Sequence, residues 1–187
     1  MIEIRQATSE EELDAVRKLV AFFADWLREL FPQSLDTIDE CFHSVEVEMP
    51  CLPGAYSPPT GALLVAYWDD EVAGTVAMHD LGGGICEMKH MVVDPQFRGK
   101  GIGRALASRL IDAAQESGYT RMRLETAPQL EAARGLYRSL GFQEIEPYDQ
   151  VPEAYRDFDV FMELSLQLPI GVAAKNPHPT TKGGSCR

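Results

Sequence analysis

A chain of 187 residues, 45% hydrophobic and 25% charged, has the length and balance of one globular domain able to bury its own core. Its formal charge of −12 speaks against a nucleic-acid partner, whose phosphates it would repel, while a cationic substrate such as an amine would be drawn in. No apolar run approaches the ~18 residues of a membrane span, no basic-then-apolar leader opens the chain, and Cys41, Cys51, Cys86 and Cys186 lack C-x-x-C spacing. The expectation is therefore a cytoplasmic protein with reduced thiols, no membrane contact and no metal site.

Alternation across Ile2, Glu3, Ile4 and Arg5 predicts a first strand with one buried face. Ser9 with Glu12 forms a capping-box signal, and Leu13, Val16, Val20, Phe23, Leu27 and Leu30 then recur at helical spacing until Pro32. A second helix is expected over 34–49, then a loop rich in Pro and Gly over 50–60. The run 62–67, a turn at Asp69 and Asp70, and 72–78 read as a hairpin; Gly82, Gly83 and Gly84 turn the chain into a third strand over 85–93. Ile102, Leu106, Leu110, Ile111 and Ala114 predict a helix over 101–116, closed by Gly118. A strand over 122–125, a helix over 131–140 closed by Gly141, and strands over 142–145 and 158–166 complete the pattern. Beyond Leu168 the chain offers Pro, Gly, Lys and Thr with almost nothing to bury, so 1–168 is expected to be the domain and 169–187 a disordered tail.

The stretch Val92-Val93-Asp94-Pro95-Gln96-Phe97-Arg98-Gly99-Lys100-Gly101-Ile102-Gly103-Arg104 is the most informative. A strand ends at Val93, a turn follows, and a helix opens within the glycines. Amides at a helix start lack intrahelical acceptors and feel the positive end of the helix dipole, while glycines admit positive φ and close ligand approach. Such a loop is a natural seat for a pyrophosphate, and Arg98, Lys100 and Arg104 add cations to it. The G-K-[ST] end of a P-loop is absent, and the spacing of a dinucleotide fingerprint is wrong. A glycine-rich turn with solvated cations is the plain alternative.

The run Arg98-Gly99-Lys100-Gly101-Ile102-Gly103 matches the [QR]-x-x-G-x-[GA] loop of the GNAT N-acetyltransferase superfamily at every defined position. Val93-Asp94-Pro95 resembles that family's V-x-P strand end, and Leu136-Tyr137-Arg138-Ser139-Leu140-Gly141-Phe142 its LY-x-x-LGF signature. With their flanking strands these motifs span 87–145. The resemblance implies an α/β fold with a mixed, mostly antiparallel sheet of about seven strands and about four helices. It implies acetyl-CoA as co-substrate, a small-molecule or peptide amine as acceptor, and leaves a homodimer open.

By the same resemblance, the amides of Arg98, Gly99, Lys100, Gly101, Ile102, Gly103 and Arg104 bind the CoA pyrophosphate, and the strand around Met91, Val92 and Val93 pairs with pantetheine where the family's strands splay. An amide near Met91 or Val92 polarises the thioester carbonyl, and Tyr137 protonates the leaving sulfur, unless its ring merely packs. Glu87 is the candidate base: period-two alternation puts it on one face with Lys89, Met91 and Val93, and burial would raise its pKa toward a useful value. Its alternative is a strand carboxylate paired with Lys89 or Arg123; His79 and His90 are further candidates. Many relatives carry an Asn where this chain has Leu130. Arg138 could reach the adenosine phosphate or be solvated. Acceptor specificity is expected from 22–31, 34–53 and 148–157, where Asp36, Asp39, Glu40, Glu46 and Glu48 could attract an ammonium or form a solvated face. A non-catalytic acyl-CoA sensor is the competing class.

Overall fold

The computed structural model describes residues 1–148, 156 and 159–175, without the side chains of 37 and 40–44. Seven strands make one sheet: β1 (Ile2–Gln6), β2 (Ala62–Trp68), β3 (Glu71–Gly82), β4 (Ile85–Val93), β5 (Arg121–Thr126), β6 (Gln143–Ile145) and β7 (Val160–Ser165). Their order is β1-β2-β3-β4-β5-β7-β6, and every neighbouring pair is antiparallel except β4 with β5. The helices are α1 (Glu10–Leu30), α2 (Leu35–Glu48), α3 (Ile102–Glu116) and α4 (Glu131–Ser139). This is the mixed, mostly antiparallel α/β architecture expected from the sequence.

The central strands are covered on both faces, so neighbouring residues serve different cores. Leu63, Val65 and Ala77 meet Leu13, Val16 and Val20 of α1. Leu64, Met78, Cys86 and Met122 meet Leu106 and Leu110 of α3, with Tyr137 of α4 on the same side. Each fully buried Leu or Val side chain in these layers contributes about 1.5–3 kcal/mol of transfer free energy. The capping box forms as expected: Ser9 Oγ accepts the Glu12 amide at 3.2 Å, and Glu12 Oε2 accepts the Ser9 amide at 2.9 Å.

Three expectations change. The 50–60 segment is not plain loop: 3₁₀ turns at Met49–Cys51 and Gly54–Tyr56 drive the Tyr56 ring into the core, where it is 1% exposed. Cys51 is disulfide-bonded, against the expectation of reduced thiols, whereas Cys86 is free and buried; spacing along the chain does not report which sulfurs meet in space. Past Leu168, the Lys175 amide donates to the Gly118 carbonyl at 2.8 Å and its Nζ lies 3.6 Å from the centre of the Tyr119 ring. Contact with the domain thus continues through Lys175 by backbone and cation–π bonds, which need no apolar periodicity. Residues 176–187 of the expected tail, and 149–155, 157 and 158 of the expected acceptor loop and last strand, lie outside the described residues.

Candidate functional site

β4 and β5 pair only through Ile85, Cys86 and Glu87 with Arg121, Met122 and Arg123. Beyond that point the two strands have no common register, so residues 88–93 of β4 present an edge toward the opening. A β-bulge marks the same place: Thr75 opposes Val92 and Ala77 opposes Lys89, leaving His90 and Met91 across from Val76 alone. His90 takes a left-handed φ of 53°. The extra residue switches the strand's faces. Glu87 and Lys89 lie opposite His79 and Ala77, on the α1–α2 side, while Met91 and Val93 pack into the α3 core. The expected common face of Glu87, Lys89, Met91 and Val93 is therefore wrong, because period-two counting fails across a bulge.

The glycine loop follows directly. Asp94 accepts the Gln96 amide at 2.9 Å, starting a 3₁₀ turn over Pro95–Phe97 that leads into Arg98. Gly99 and Gly101 have φ of 76° and 82°, a region that costs a side-chain-bearing residue strain. Gly101 is the N-cap of α3, and no side chain caps the helix, so the first-turn amides of Ile102, Gly103 and Arg104 keep their donors for something else. The cations rest on neighbours: Arg98 lies 5.2 Å from the Trp26 ring centre, Lys100 lies 4.9 Å from that of Trp68, and Arg104 donates to Ser139 Oγ at 2.6 Å. An uncapped helix start with glycines and three cations fits a pyrophosphate.

Tyr137 projects from α4 into the α3 core, 6% exposed and edge-on to Phe142 at 5.8 Å between ring centres. Its hydroxyl makes no hydrogen bond to a described residue, and burial pushes its pKa up to about 12. Leu130, at the N-cap of α4, joins an apolar cluster with Phe23, Trp26, Leu27, Phe31 and Ile38. The position where the family resemblance would place an Asn is thus taken up by packing against the α1–α2 hairpin. Arg138 pairs with Glu144, as does Arg134.

Two polar clusters occupy the α1–α2 side of β4. In one, Glu87 Oε2 binds His79 Nε2 at 2.8 Å while Oε1 accepts from the Tyr148 hydroxyl. Tyr148 is held in turn by the Arg123 guanidinium, 4.8 Å from its ring centre, and by Phe161 edge-on. Burial alone would push the Glu87 carboxyl up. The His79 bond, the Lys89 charge and the Tyr148 hydroxyl outweigh it and hold the group below the ordinary carboxylate range, against the expected upward shift. Arg123 does not pair with Glu87; its partner is Glu163, at 2.7 Å.

In the second cluster the Tyr56 hydroxyl donates to Glu48 Oε1 at 2.6 Å, and His90 Nε2 lies 2.9 Å from that hydroxyl and 3.2 Å from Glu48 Oε2. Glu48 thus turns inward from α2, whereas Asp39 pairs with Arg28 on the surface and Asp36 and Glu46 are exposed. The Tyr56 contribution had no sequence signal: one aromatic in a loop of Pro and Gly has no period to betray burial. Across the opening, burial pushes the Asp159 carboxyl up to about 7, with Glu125 adding repulsion, and burial raises Glu125 as well.

Concavities of about 550 Å³, beside Arg5, Thr60, Arg109 and Lys175, and about 470 Å³, beside Arg121, Tyr148 and Glu163, both lie away from the glycine loop. An extended ligand on a strand edge needs no enclosed cavity. Among the described residues no cluster of His, Cys, Asp or Glu could hold a metal ion, and no helix is long and apolar enough to cross a membrane.

A sequence model of the family described as "Acetyltransferase (GNAT) family" matches residues 17–142. An uncharacterized N-acetyltransferase of Schizosaccharomyces pombe is 35% identical over 153 residues, 81% of this chain and 88% of that one. An IAA acetyltransferase of Azospirillum brasilense is 31% identical, covering 82% and 92%. The crystal structure of an acetyltransferase of GNAT family from Staphylococcus aureus superimposes with a TM-score of 0.68 at 19% identity, over 89% of this chain and 100% of that one. That last likeness is one of fold.

Proposed function

The chain belongs to the GNAT acetyltransferase family, and from that premise we propose that it moves an acetyl group from acetyl-CoA to a primary amine of a small molecule or peptide by direct attack. The observation that carries this reading is the continuous path from the unpaired edge of β4 to the uncapped start of α3. Pantetheine offers two amides that can join a free strand edge, here along Met91, Val92 and Val93. The pyrophosphate then falls on the loop from Arg98 through Gly99, Lys100 and Gly101 to the amides of Ile102, Gly103 and Arg104. In this reading an amide at Met91 or Val92 polarises the thioester carbonyl.

The acceptor approaches from the α1–α2 side, where the ionised Glu48 and Glu87 favour a group that arrives as an ammonium. Its proton leaves to the hydrogen-bonded pair of Glu87 and His79. As the free amine forms the C–N bond, the C–S bond breaks; the departing sulfur takes the phenolic proton of Tyr137, and the second proton shed by the acylated nitrogen restores the phenol. The raised pKa of Tyr137 keeps that proton in place throughout the neutral range.

Thiol release from acetyl-CoA, followed across amines, polyamines, amino acids and peptide N-termini, tests the reading. Glu87 stays ionised at neutral pH, so Glu87→Gln should cost most there and least at high pH, where the acceptor is already a free amine. A pH–rate profile overlaying the wild type moves the base to another group. Tight acetyl-CoA binding without thiol release for any amine would make the chain an acyl-CoA sensor instead.

A further inference from the structure

We propose that Glu48 and Tyr56 act through His90 as positioning residues, pinning the left-handed bulge of β4 so that the Met91 and Val92 amides stay aimed at the acyl donor. The chemical part of this inference rests on the acetyl-transfer reading; the backbone part does not.

A bulge whose first residue is left-handed ordinarily takes glycine, because Cβ crowds the following carbonyl there. Histidine holds that place here at φ 53°. A strained residue persists when its surroundings over-determine it, and those of His90 do. Its side chain is 6% exposed, its Nε2 is shared between the Tyr56 hydroxyl and Glu48 Oε2, and its ring stands edge-on to that of Tyr56 at 5.4 Å.

Glu48 is ionised at neutral pH, since hydrogen bonds from His90 and Tyr56 outweigh its burial and hold it at about 2. An ionised carboxylate only accepts, so the Tyr56 hydroxyl spends its proton on Glu48 and His90 Nε2 must carry its own. That nitrogen is a donor locked between two oxygens, which suits a pin and not a base. The three residues come from the end of α2, the Gly54–Tyr56 turn and β4, so the pin ties the acceptor side of the fold to the donor strand.

The test compares His90→Gly with His90→Ala, beside Tyr56→Phe and Glu48→Gln. Glycine loses the pin but takes the left-handed conformation freely; alanine loses the pin and keeps the strain. His90→Gly should retain kcat above His90→Ala by about fivefold or more, with the shape of the pH profile kept. Tyr56→Phe and Glu48→Gln should lower kcat by a larger factor than they raise the Kd of CoA, which lacks the acyl carbonyl. Equal loss in both His90 variants together with loss of the acidic limb would make His90 a base and overturn the proposal. Amide hydrogen exchange at Met91 and Val92 is read without any turnover and should quicken in Tyr56→Phe and Glu48→Gln; unchanged exchange overturns the pin even if the enzyme reading stands. Wild-type protein that neither binds acetyl-CoA nor releases thiol overturns the enzyme reading and the aiming role, while faster exchange would still support the backbone pin.

Discussion

A Cβ built on Gly103 meets only Leu136 Cδ2 at 3.5 Å and Val93 Cγ2 at 3.6 Å, ordinary contact distances, and its φ lies outside the left-handed region. The fold itself thus has no need of glycine there, and alanine should add up to about 1 kcal/mol of helix stability. The loop pattern admits alanine as well as glycine at this place, whereas a glutamate would put a bulky anion into a pyrophosphate seat. Gly103→Ala should therefore keep or raise the melting temperature and bind acetyl-CoA as the wild type does, while Gly103→Glu should weaken acetyl-CoA about a hundredfold or more by titration calorimetry; unchanged affinity in Gly103→Glu would remove the seat. Tyr137 invites the converse experiment. Phenylalanine preserves the packing on Phe142 and removes only the hydroxyl, so Tyr137→Phe should leave acetyl-CoA affinity alone and lower kcat by about ten- to a thousand-fold. Wild-type kcat, measured where chemistry limits the rate, would reduce the residue to packing.

At the scale of elements, α1 is anchored by a carboxylate that works as more than a cap. Glu12 accepts the amides of Thr8 and Ser9 at 2.9 Å, the Arg5 Nε at 2.9 Å and the Tyr67 hydroxyl at 3.2 Å, joining the helix start to β1 and β2. These backbone and side-chain bonds outweigh its burial and hold its pKa at about 2, below the 4.5 of the free group. A folded pKa below the unfolded one means stability that is complete above about 4.5 and lost as pH falls toward 2. Glu12→Gln should lower stability by about 1–3 kcal/mol at pH 7 in urea melts, and the gap from wild type should close below pH 4. A gap independent of pH would show that shape, not charge, is what the position supplies.

At the scale of the whole molecule, the contact that extends past Leu168 decides how the chain tolerates shortening. Removing 176–187 leaves Lys175 on Gly118 and Tyr119; removing 172–187 takes away its backbone bond to Gly118, its cation–π contact with Tyr119 and the local bond from Val172 to Pro169. The shorter protein should melt about 2–4 °C below the longer one, as about 1 kcal/mol does in a domain of this size, with turnover alike in both. Equal melting temperatures would show that the contact contributes nothing net.

The periods of α1, α3 and the β2–β3 hairpin, the capping box, and the two blocks around Gly101 and Tyr137 were legible in the sequence because each is local. Helix spacing, turn chemistry and a loop motif are written within a dozen residues. What the tertiary structure decided depends on residues far apart in the chain. One extra residue at His90 reversed which face Met91 and Val93 serve, and no alternation pattern announces a bulge. Glu87 could be placed on its strand, but His79, Lys89 and Tyr148 set its ionisation, and they reach it across the sheet. Glu48 and Tyr56 meet His90 from 42 and 34 residues away. Local pattern determines which elements form; the environment of a buried charge belongs to whatever the fold brings beside it, and only the assembled sheet sets that.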